Sequence, residues 1–393
     1  MREFIGNINK PLNSICDIIG RIGFRGYTRN DIVEDLKGAI SLSPANIINN
    51  RLSLYNCTYI SWEKYNESPE IMVSKNDIVF CKTGSVGKTA IVKYVDYKMT
   101  INPQLAIFRP KEVNPSYLYY VIISDIFQKE VNKLKGTGSV STISQKDLGS
   151  IIVPIPSRKV QEEIVKILDS FTNLIDALNE ELSLRQKQFE YYREKVLTFD
   201  DKSYSKTINE IGTLYRGNGL QKKDFVEEGI GCIHYGQIYT KLGFSLSKPL
   251  TFVTEDTARP LTKVRKGDLV IACTSENIED VCKSVVWEGD DEIVTGGHAC
   301  VFRHNENPRY IGYYFQTHQF FLQKKQYAYG AKVIDIKTEK LGEILIPIPS
   351  KREQNAIVEK LDAFESLISS LKEEIALRQK QYEYYREKLL TFE

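Results

Sequence analysis

The sequence predicts an α+β protein in which two mixed α/β domains are joined by two long helices packed as an antiparallel coiled coil. Three observations predict it: a duplicated segment, a heptad-like apolar pattern inside each copy, and a short strand-like run before each helix. Of the 393 residues, 42% are hydrophobic and 26% charged, as in ordinary globular proteins. This length is sufficient for two or three domains, each with its own core.

The duplicated segment fixes the predicted domain organisation. Residues 149–199 and 342–392 are identical at about 31 of 51 positions, at a constant offset of 193 residues. The stretches outside the copies are of similar length but differ greatly in sequence, apart from traces such as Asp77-Ile-Val beside Asp268-Leu-Val. We therefore predict a first variable domain over 1–156, a first helix over 157–199, a second variable domain over 200–349 and a second helix over 350–393.

Each copy opens with a strand-like run, Ile151–Ile155 or Ile344–Ile348, that is closed by Pro-Ile-Pro, whose second proline is Pro156 or Pro349. Proline removes a backbone donor and disfavours helix at the residue before it, so each helix should start after the second proline. Ser157 and Ser350 are the expected N-caps, and we expect neither to have a capping-box glutamate three residues later.

Each helix carries apolar residues at alternating steps of four and three, with an arginine at one equivalent position. This pattern predicts a coiled coil, and a single polar position in a seam can fix its register and partner. Two long surface helices on separate cores are the alternative. The predicted seam consists of Ile164, Leu168, Phe171, Ile175, Leu178, Leu182, Arg185, Ile357, Leu361, Phe364, Ile368, Leu371, Ile375 and Arg378.

The connectivity favours an antiparallel pair. The second variable domain leaves the end of the first helix and returns to the start of the second, and these ends are adjacent only when the helices run in opposite directions. A parallel pair would require that domain to span the helix length, roughly 50 Å at 1.5 Å per residue. The sequence thus predicts two globular domains held apart by a stiff helical spacer.

This arrangement resembles the specificity subunit of a type I restriction–modification system. The resemblance covers the whole chain and rests on the strand-Pro-x-Pro-Ser-x-x-x-Gln motifs, Ile151–Gln161 and Ile344–Gln354, the paired heptad helices, and the two dissimilar variable domains. It implies that each variable domain recognises one half of a bipartite, asymmetric site on double-stranded DNA. It also implies that the helices bind methyltransferase subunits and set the spacing between the half-sites.

The partners that the resemblance implies are DNA adenine methyltransferase subunits, two by expectation, and an ATP-dependent restriction and translocation subunit. The chain itself is expected to have no catalytic activity and no cofactor. In agreement, the sequence lacks the Asn-Pro-Pro-Tyr or Asp-Pro-Pro-Tyr tetrad of adenine methyltransferases and a helicase motif set. A specificity subunit of a related type II methyltransferase–nuclease is an alternative, as is a coiled-coil scaffold with two protein-binding heads.

A nucleotide-dependent enzyme is a further hypothesis, based on the loop Gly84–Thr89. The stretch Thr83–Thr89 follows the strand-like run Asp77–Cys81 and resembles a phosphate-binding loop, but position 82 is lysine where that motif needs glycine. We therefore favour a strand-to-strand loop whose amines and hydroxyls contact DNA.

Charge and cysteine content limit the kinds of protein that the sequence can encode. The chain has a net charge of +2, but residues 1–148 have 19 basic against 14 acidic side chains, whereas residues 200–341 have 19 of each. The seven cysteines form no CxxC pair, and this favours reduced thiols over a disulfide framework.

No apolar run reaches about 18 residues and the first residues have no signal-peptide pattern, so we expect a cytoplasmic protein. The four histidines match no metal-site spacing, and His298 with Cys300 is expected to be a packed or groove-facing pair.

The candidate DNA contacts are basic, hydroxyl, amide and tyrosine side chains, since phosphates attract amines and base edges bind all these polar groups. In the first variable domain they are Arg25, Tyr27, Arg29, Lys82, Thr83, Ser85, Lys88, Lys135, Thr137 and Ser139. In the second variable domain they are Arg216, Asn218, Lys222, Lys223, Tyr235, Gln237, Thr274, Ser275, Asn277 and Lys332. No metal ligands are expected.

Overall fold

The computed structural model describes residues 9–21, 26–136, 138–199 and 205–392. The chain forms two compact units, one made of residues 1–179 and 374–393 and the other of residues 180–373. Because the two long helices cover 158–197 and 351–390, each contributes one half to each unit. No helix in the described ranges is long and apolar enough to cross a membrane.

The first unit contains two four-stranded sheets and two short strand pairs. Its strands are β1 (Asn9–Pro11), β2 (Cys16–Ile19), β3 (Ile32–Val33), β4 (Ala39–Leu42), β5 (Ile47–Ile48), β6 (Arg51–Leu52), β7 (Thr58–Ile60), β8 (Ile78–Cys81), β9 (Thr89–Ile91), β10 (Met99–Ile101), β11 (Leu105–Pro110) and β12 (Ile152–Pro154). Its helices are α1 (Trp62–Asn66), α2 (Pro115–Ile122), α3 (Asp125–Leu134), α4 (Gln145–Ser150) and the first half of α5 (Arg158–Leu197). The sheet orders are β2-β11-β8-β9 and β10-β4-β7-β3, and the pairs are β1-β12 and β5-β6.

The second unit contains two five-stranded sheets and two short strand pairs. Its strands are β13 (Ser205–Thr207), β14 (Gly212–Arg216), β15 (Phe225–Val226), β16 (Ile230–Ile233), β17 (Ser245–Leu246), β18 (Thr251–Val253), β19 (Thr262–Val264), β20 (Leu269–Ala272), β21 (Thr274–Ser275), β22 (Ser284–Trp287), β23 (Ile293–Thr295), β24 (Ala299–His304), β25 (Ile334–Asp335) and β26 (Leu345–Pro347). Its helices are α6 (Ile208–Ile211), α7 (Tyr235–Thr240), α8 (Glu255–Ala258), α9 (Pro308–Tyr314), α10 (His318–Tyr327), α11 (Thr338–Leu341) and the first half of α12 (Lys351–Leu390), with the second half of α5. The sheet orders are β14-β24-β20-β22-β17 and β15-β18-β16-β23-β19, and the pairs are β13-β26 and β21-β25.

The central strands of both units are buried on both faces, which explains why they are continuous apolar runs without alternation. In β8, Ile78 and Phe80 face one hydrophobic cluster, which includes residues of α2, α3 and α5, whereas Val79 and Cys81 face a second cluster with β4 and β10. Strand β20 of the second unit divides its side chains between two clusters in the same alternating way. The two units therefore share one framework despite their different sequences.

The glutamine of each repeated motif ties a long helix to its variable domain. Gln161 is buried, accepts the backbone N–H of Asn114 at 2.9 Å and donates to the carbonyl of Pro156 at 2.8 Å. Gln354 repeats both bonds with Asn307 and the carbonyl of Pro349. Because each glutamine joins the end of Pro-x-Pro to the N-cap of α2 or α9, it sets where the long helix leaves its domain.

The start of α12 corrects one expectation. Ser350 and Glu353 form a complete capping box: the Ser350 hydroxyl donates to Glu353 at 2.7 Å, and the backbone N–H groups of both residues bond the other side chain. The expectation that neither serine has a capping-box glutamate was therefore wrong for Ser350. Three residues after Ser157 the chain has Val160, so Ser157 has no capping-box glutamate, as expected.

In each unit the two long helices lie against one another. In the first unit the Phe171 ring stacks on Tyr385 at a centroid distance of 5.5 Å, and in the second unit Tyr192 stacks on Phe364 at 5.3 Å. The first half of α5 thus contacts the second half of α12 in one unit, and the reverse holds in the other. Among the predicted seam residues, the buried ones are Ile164, Leu168, Ile175, Leu361, Ile368 and Leu371, and the half-buried apolar ones are Phe171, Leu178, Leu182, Ile357, Phe364 and Ile375.

The two predicted seam arginines make the same hydrogen bonds in the two long helices. Arg185 binds Glu181 and Gln188 of its own helix, and Arg378 binds Glu374 and Gln381 in the same pattern. Both guanidinium side chains are about two-fifths exposed. These bonds lie along one helix and stabilise that helix.

Candidate nucleic-acid interface

The loop of residues 82–88 in the first unit joins β8 to β9, which pair antiparallel. A phosphate-binding loop would lead into a helix, whose N-terminal amides hold the phosphates. Gly84 and Gly87 have φ values of +81° and +100°, a region that favours glycine, so these residues serve a tight hairpin loop. The nucleotide-binding hypothesis is therefore not favoured, and the strand-to-strand loop is confirmed.

This hairpin loop lies beside the chain segment that follows α3. The Lys82 carbonyl accepts the N–H of Ile143 at 2.9 Å, and the N–H of Gly84 donates to Ser141 at 2.8 Å. The Thr83 and Thr142 hydroxyls are 3.1 Å apart. The structure thus brings the predicted residues Lys82, Thr83, Ser85 and Lys88 to the segment that contains Lys135 and Ser139. Arg25 and Thr137 lie outside the described residues.

A third segment, between β10 and β11, completes this surface. The carbonyl of Gln104 accepts the backbone N–H groups of Lys82 at 2.9 Å and Thr83 at 3.2 Å, and the Gln104 side chain is exposed. Tyr27 is half-buried and Arg29 exposed on the segment that leads to β3. Gln104 was not among the predicted contacts, because a lone glutamine between two strands gives no signal in the sequence.

In the second unit the predicted residues Arg216, Thr274 and Tyr235 converge on two residues that were not predicted as contacts, Asp335 and His298. The Arg216 guanidinium lies 3.2 Å from the Asp335 carboxylate, and the Thr274 hydroxyl donates to the same oxygen at 3.0 Å. Thr274 Oγ1 is also 3.1 Å from His298 Nδ1. The Tyr235 ring lies against His298 at a centroid distance of 5.0 Å.

The aromatic contacts continue from Tyr235 to His234, whose tilted ring has its centroid 4.5 Å away. Burial lowers the pKa of His234, and its neighbours Lys222 and His298 lower it further. A neutral His234 can accept the backbone N–H of Gly236 at 3.1 Å and so cap α7. Lys222 and its neighbour Lys223 are exposed, as cations that contact phosphates would be.

Three predicted contacts of the second domain are buried and engaged internally. Gln237 completes the capping box of α7 by accepting the N–H of His234 at 2.9 Å, and it also bonds Thr251. Thr274 and Ser275 form β21, which pairs with β25. Their roles are structural, so direct contact with DNA by these three side chains is not supported. The exposed candidates of this domain are Arg216, Asn218, Lys222, Lys223, Asn277 and Lys332.

The two units place different polar groups at equivalent framework positions. His298 directly precedes β24, just as Gln104 directly precedes β11. The His298 carbonyl accepts the N–H of Cys273 at 2.8 Å, and the Gln104 carbonyl accepts the N–H of Lys82 in the same way. Thr142 pairs with Thr83 as Asp335 pairs with Thr274. The shared pattern Ser139-Val-x-x-Ile143 and Lys332-Val-x-x-Ile336 could have indicated the segment of Thr142 and Asp335, since each stands one position before the isoleucine.

A family model described as the type I restriction modification DNA specificity domain matches residues 11–184 and again residues 205–377. The chain belongs to this family. The two matches occupy the two halves of the chain, so the DNA specificity domain is present twice, as the internal repeat predicted. The resemblance seen in the sequence is confirmed.

Alignments with curated members of this family cover different fractions of the chain. The chain is 33% identical over 268 residues to the EcoR124I/EcoR124II specificity subunit of Escherichia coli, in an alignment that covers 64% of this chain and 65% of that subunit. It is 29% identical over 312 residues to a putative type I specificity subunit of Haemophilus influenzae, covering 75% and 77%. It is 24% identical over 383 residues to the MjaVIII specificity subunit of Methanocaldococcus jannaschii, covering 88% and 86%.

Solved structures of the family share the fold. The crystal structure of the type I restriction–modification S subunit from M. genitalium has a TM-score of 0.54 at 16% identity and covers 100% of this chain and 98% of that one. A chain from a structural study of complex assembly and conformational transition in a type I system has a TM-score of 0.60 at 15% identity and covers 98% of both. The fold of two mixed α/β domains with a long helix pair is thus that of S subunits.

Proposed function

We propose that the chain is the non-catalytic DNA sequence-specificity subunit of a type I restriction–modification complex. Each unit would recognise one half of a bipartite, asymmetric site on double-stranded DNA. The observation that carries this proposal is the pairing of one framework with two different sets of polar groups. Domains that share a fold but differ at equivalent exposed positions would read different bases, because base edges are distinguished by donor and acceptor patterns.

The proposed DNA surface of the first domain is formed by the hairpin loop, the segment after α3, the segment before β11 and the segment that leads to β3. Its candidate contacts are Arg25, Tyr27, Arg29, Lys82, Thr83, Ser85, Lys88, Lys135, Thr137 and Ser139, to which the structure adds Gln104. The lysines, of which Lys88 is exposed and Lys82 and Lys135 are half-buried, would contact phosphates and orient the domain. The hydroxyl and amide groups would contact base edges. In the second domain the corresponding surface surrounds Arg216, His298 and Asp335.

We further propose that α5 and α12 form an antiparallel coiled coil that sets the distance between the half-sites. The stacked rings that join opposite halves of the two helices in each unit support this. Each helix has 40 residues, which corresponds to about 60 Å at 1.5 Å per residue.

The long helices are also the proposed docking surfaces for two adenine methyltransferase subunits, which would in turn act with an ATP-dependent restriction subunit. Leu184 and Tyr191 are 59% and 63% exposed, and the equivalent Leu377 and Tyr384 are 66% and 60% exposed. Residues seven apart lie on one helix face, so each unit presents one apolar pair. Large apolar side chains at this exposure are typical of protein interfaces.

Methylome sequencing tests this function. Cells that express the chain with the adenine methyltransferase of its own source should carry N6-methyladenine in a bipartite motif of two different half-sites with an unspecified spacer. Cells that express the methyltransferase alone provide the control and should lack that motif. A contiguous or palindromic motif would contradict the proposal of two different reading domains.

A further inference from the structure

The Asp335 carboxylate determines which ring nitrogen of His298 carries a proton. An ionised carboxylate is only an acceptor, so the single hydroxyl proton of Thr274 points to Asp335 Oδ2 at 3.0 Å. The Thr274 oxygen can then only accept at its other neighbour, His298 Nδ1, 3.1 Å away. Nδ1 must therefore be the protonated nitrogen, and in the neutral ring Nε2 is left as an acceptor.

The ring of His298 is exposed, and its position is strongly constrained. His298 has a φ of +68°, which a residue other than glycine adopts only when the surrounding structure imposes it. Its carbonyl is bonded to the N–H of Cys273 and its ring packs on Tyr235. Within the described part of the chain, no group bonds Nε2 of this exposed residue, so the acceptor of a fixed ring is available to a ligand.

Gln104, the equivalent residue of the first domain, offers a hydrogen-bond donor where His298 offers an acceptor. The Gln104 carbonyl oxygen Oε1 accepts from Asn102 Nδ2 at 3.1 Å, and the Asn102 oxygen accepts the Gln104 backbone N–H at 3.0 Å. These two bonds hold the side chain in place and engage its acceptor. The amide NH2 of Gln104, a donor, is bonded by no group among the described residues.

We propose that His298 and Gln104 are specificity-determining residues that contact bases with opposite hydrogen-bond polarity. His298 Nε2 accepts from an exocyclic amino group, N6 of adenine or N4 of cytosine, and the Gln104 NH2 donates to a base acceptor such as O6 or N7 of guanine. Thr274 and Asp335 are positioning residues that act through His298. This inference rests on the proposed function, because it requires that the two domains read DNA.

The test uses the chain purified with its methyltransferase partner and a pool of randomised duplex DNA, from which bound sequences are selected and counted. His298→Ala should reduce the preference for one base pair in the half-site of the second domain by about tenfold, the value of one good base contact. Gln104→Ala should do the same at one position of the other half-site. Glu227→Ala, at an exposed residue of the second domain that is not a candidate DNA contact, is the control for unspecific effects of a substitution.

Substitutions at Thr274 separate positioning from folding. Thr274→Val keeps the shape of the side chain but breaks the connection to Asp335, so it should relax the same base position as His298→Ala. Thr274→Ser restores a hydroxyl and should restore the preference. The proton on Nδ1 can be observed directly in nitrogen-15 NMR spectra of the imidazole, and Thr274→Val should shift the ring toward a mixture of tautomers.

The outcomes distinguish the inference from the function. If the unaltered complex selects no bipartite sequence, the proposed function fails. If it selects one and His298→Ala or Gln104→Ala leaves every position unchanged, the function stands and this inference is wrong. Relaxation of both half-sites by one substitution, or a proton on Nε2 of His298, would also overturn it.

Discussion

Asp77 and Arg109 form an ion pair at the centre of the first domain that explains the repeated Asp-x-Val trace in the sequence. The Asp77 side chain is 2% exposed, and Arg109 binds both of its oxygens at 2.9 and 2.8 Å. These hydrogen bonds raise the pKa of Arg109. In the second domain Asp268 and Arg303 repeat the arrangement, with a shortest distance of 2.8 Å.

Asp77→Ala should destabilise the chain by about 3 kcal/mol, because it leaves the Arg109 guanidinium without its charged partner next to the buried strands. Chemical denaturation followed by circular dichroism measures the free energy of unfolding. Glu130→Ala is the matched control, because its pair with Lys133 is exposed and should contribute less than about 1 kcal/mol. Equal losses of unfolding free energy in the two variants would show that the buried pair stabilises the chain no more than the exposed pair does.

Residue patterns indicated the framework of the two domains more fully than the groups of the proposed DNA surface. The strand-like run Asp77–Cys81 contains β8, and the Asp-x-Val trace stands at the start of both β8 and β20. The burial of Thr274 and Ser275 depends on β25, a strand about 60 residues later that pairs with them. Gln104 and His298 could not be selected from sequence, because their importance comes from the carbonyl bonds that place them beside β8 and β20.

At the level of the elements, the positions of the two long helices were well predicted because proline and the repeat constrain them strongly. The helices start at Arg158 and Lys351, two residues after the second proline of each motif. What the repeat could not show is that each helix is divided between two units, since that depends on which half contacts which domain.

The two helix starts differ in one testable respect. Ser350→Ala should cost about 1 kcal/mol, since it removes the capping box, whereas Ser157→Ala, which has no glutamate partner, should cost less. Thermal unfolding of the two variants beside the unaltered chain measures the difference. A loss at Ser157 as large as that at Ser350 would contradict a special role for Glu353.

The capping box of Ser350 and Glu353 makes the stability of the chain depend on pH. Hydrogen bonds from the Ser350 hydroxyl and backbone lower the pKa of the Glu353 carboxyl below its ordinary value of 4.5. A carboxyl whose pKa is lower in the folded state stabilises the fold above its unfolded pKa, and this contribution disappears as pH falls through the folded value. The stability difference between the unaltered chain and Ser350→Ala should therefore be present at pH 7 and shrink below pH 4.5, as denaturation across that range would show. A difference that stays constant with pH would contradict this role of Glu353.

The helix pairing in the first unit can be tested by crosslinking. Cysteines introduced as Phe171→Cys and Tyr385→Cys replace two stacked rings and should form a disulfide under mild oxidation. Phe171→Cys with Leu377→Cys is the control, because eight residues move the second thiol about 12 Å along the helix. Mass spectrometry of the crosslinked peptides identifies the pair, and bridging of the control instead would contradict the observed alignment.

For the whole molecule, the repeated apolar pairs on the long helices lead to a prediction about stoichiometry. Leu184→Glu places a charge on one proposed docking face, and Leu377→Glu does so on the other. Each single variant should bind one methyltransferase subunit fewer than the unaltered chain, and the double variant should bind none. Native mass spectrometry of the assembled complexes measures this, with the exposed Glu180→Ala as control. Full binding by the double variant would place the docking surface elsewhere.

The proposed role of the helix pair as a spacer predicts a change in the DNA site itself. Inserting four alanines after Asn179 and four after Glu373, where the two units divide, should lengthen both helices by about 6 Å and turn one domain by about 40° relative to the other. On B-DNA this length corresponds to about two base pairs at 3.4 Å each, which turn by about 70°. Because the two rotations differ by only about 30°, we expect a spacer longer by one or two base pairs with both half-sites unchanged. Methylome sequencing of cells with the inserted chain reads the spacer, and the length-neutral Glu180→Ala with Glu373→Ala should leave it as it was. If the inserted chain assembles and methylates the original spacing, the helices do not measure the distance between the half-sites.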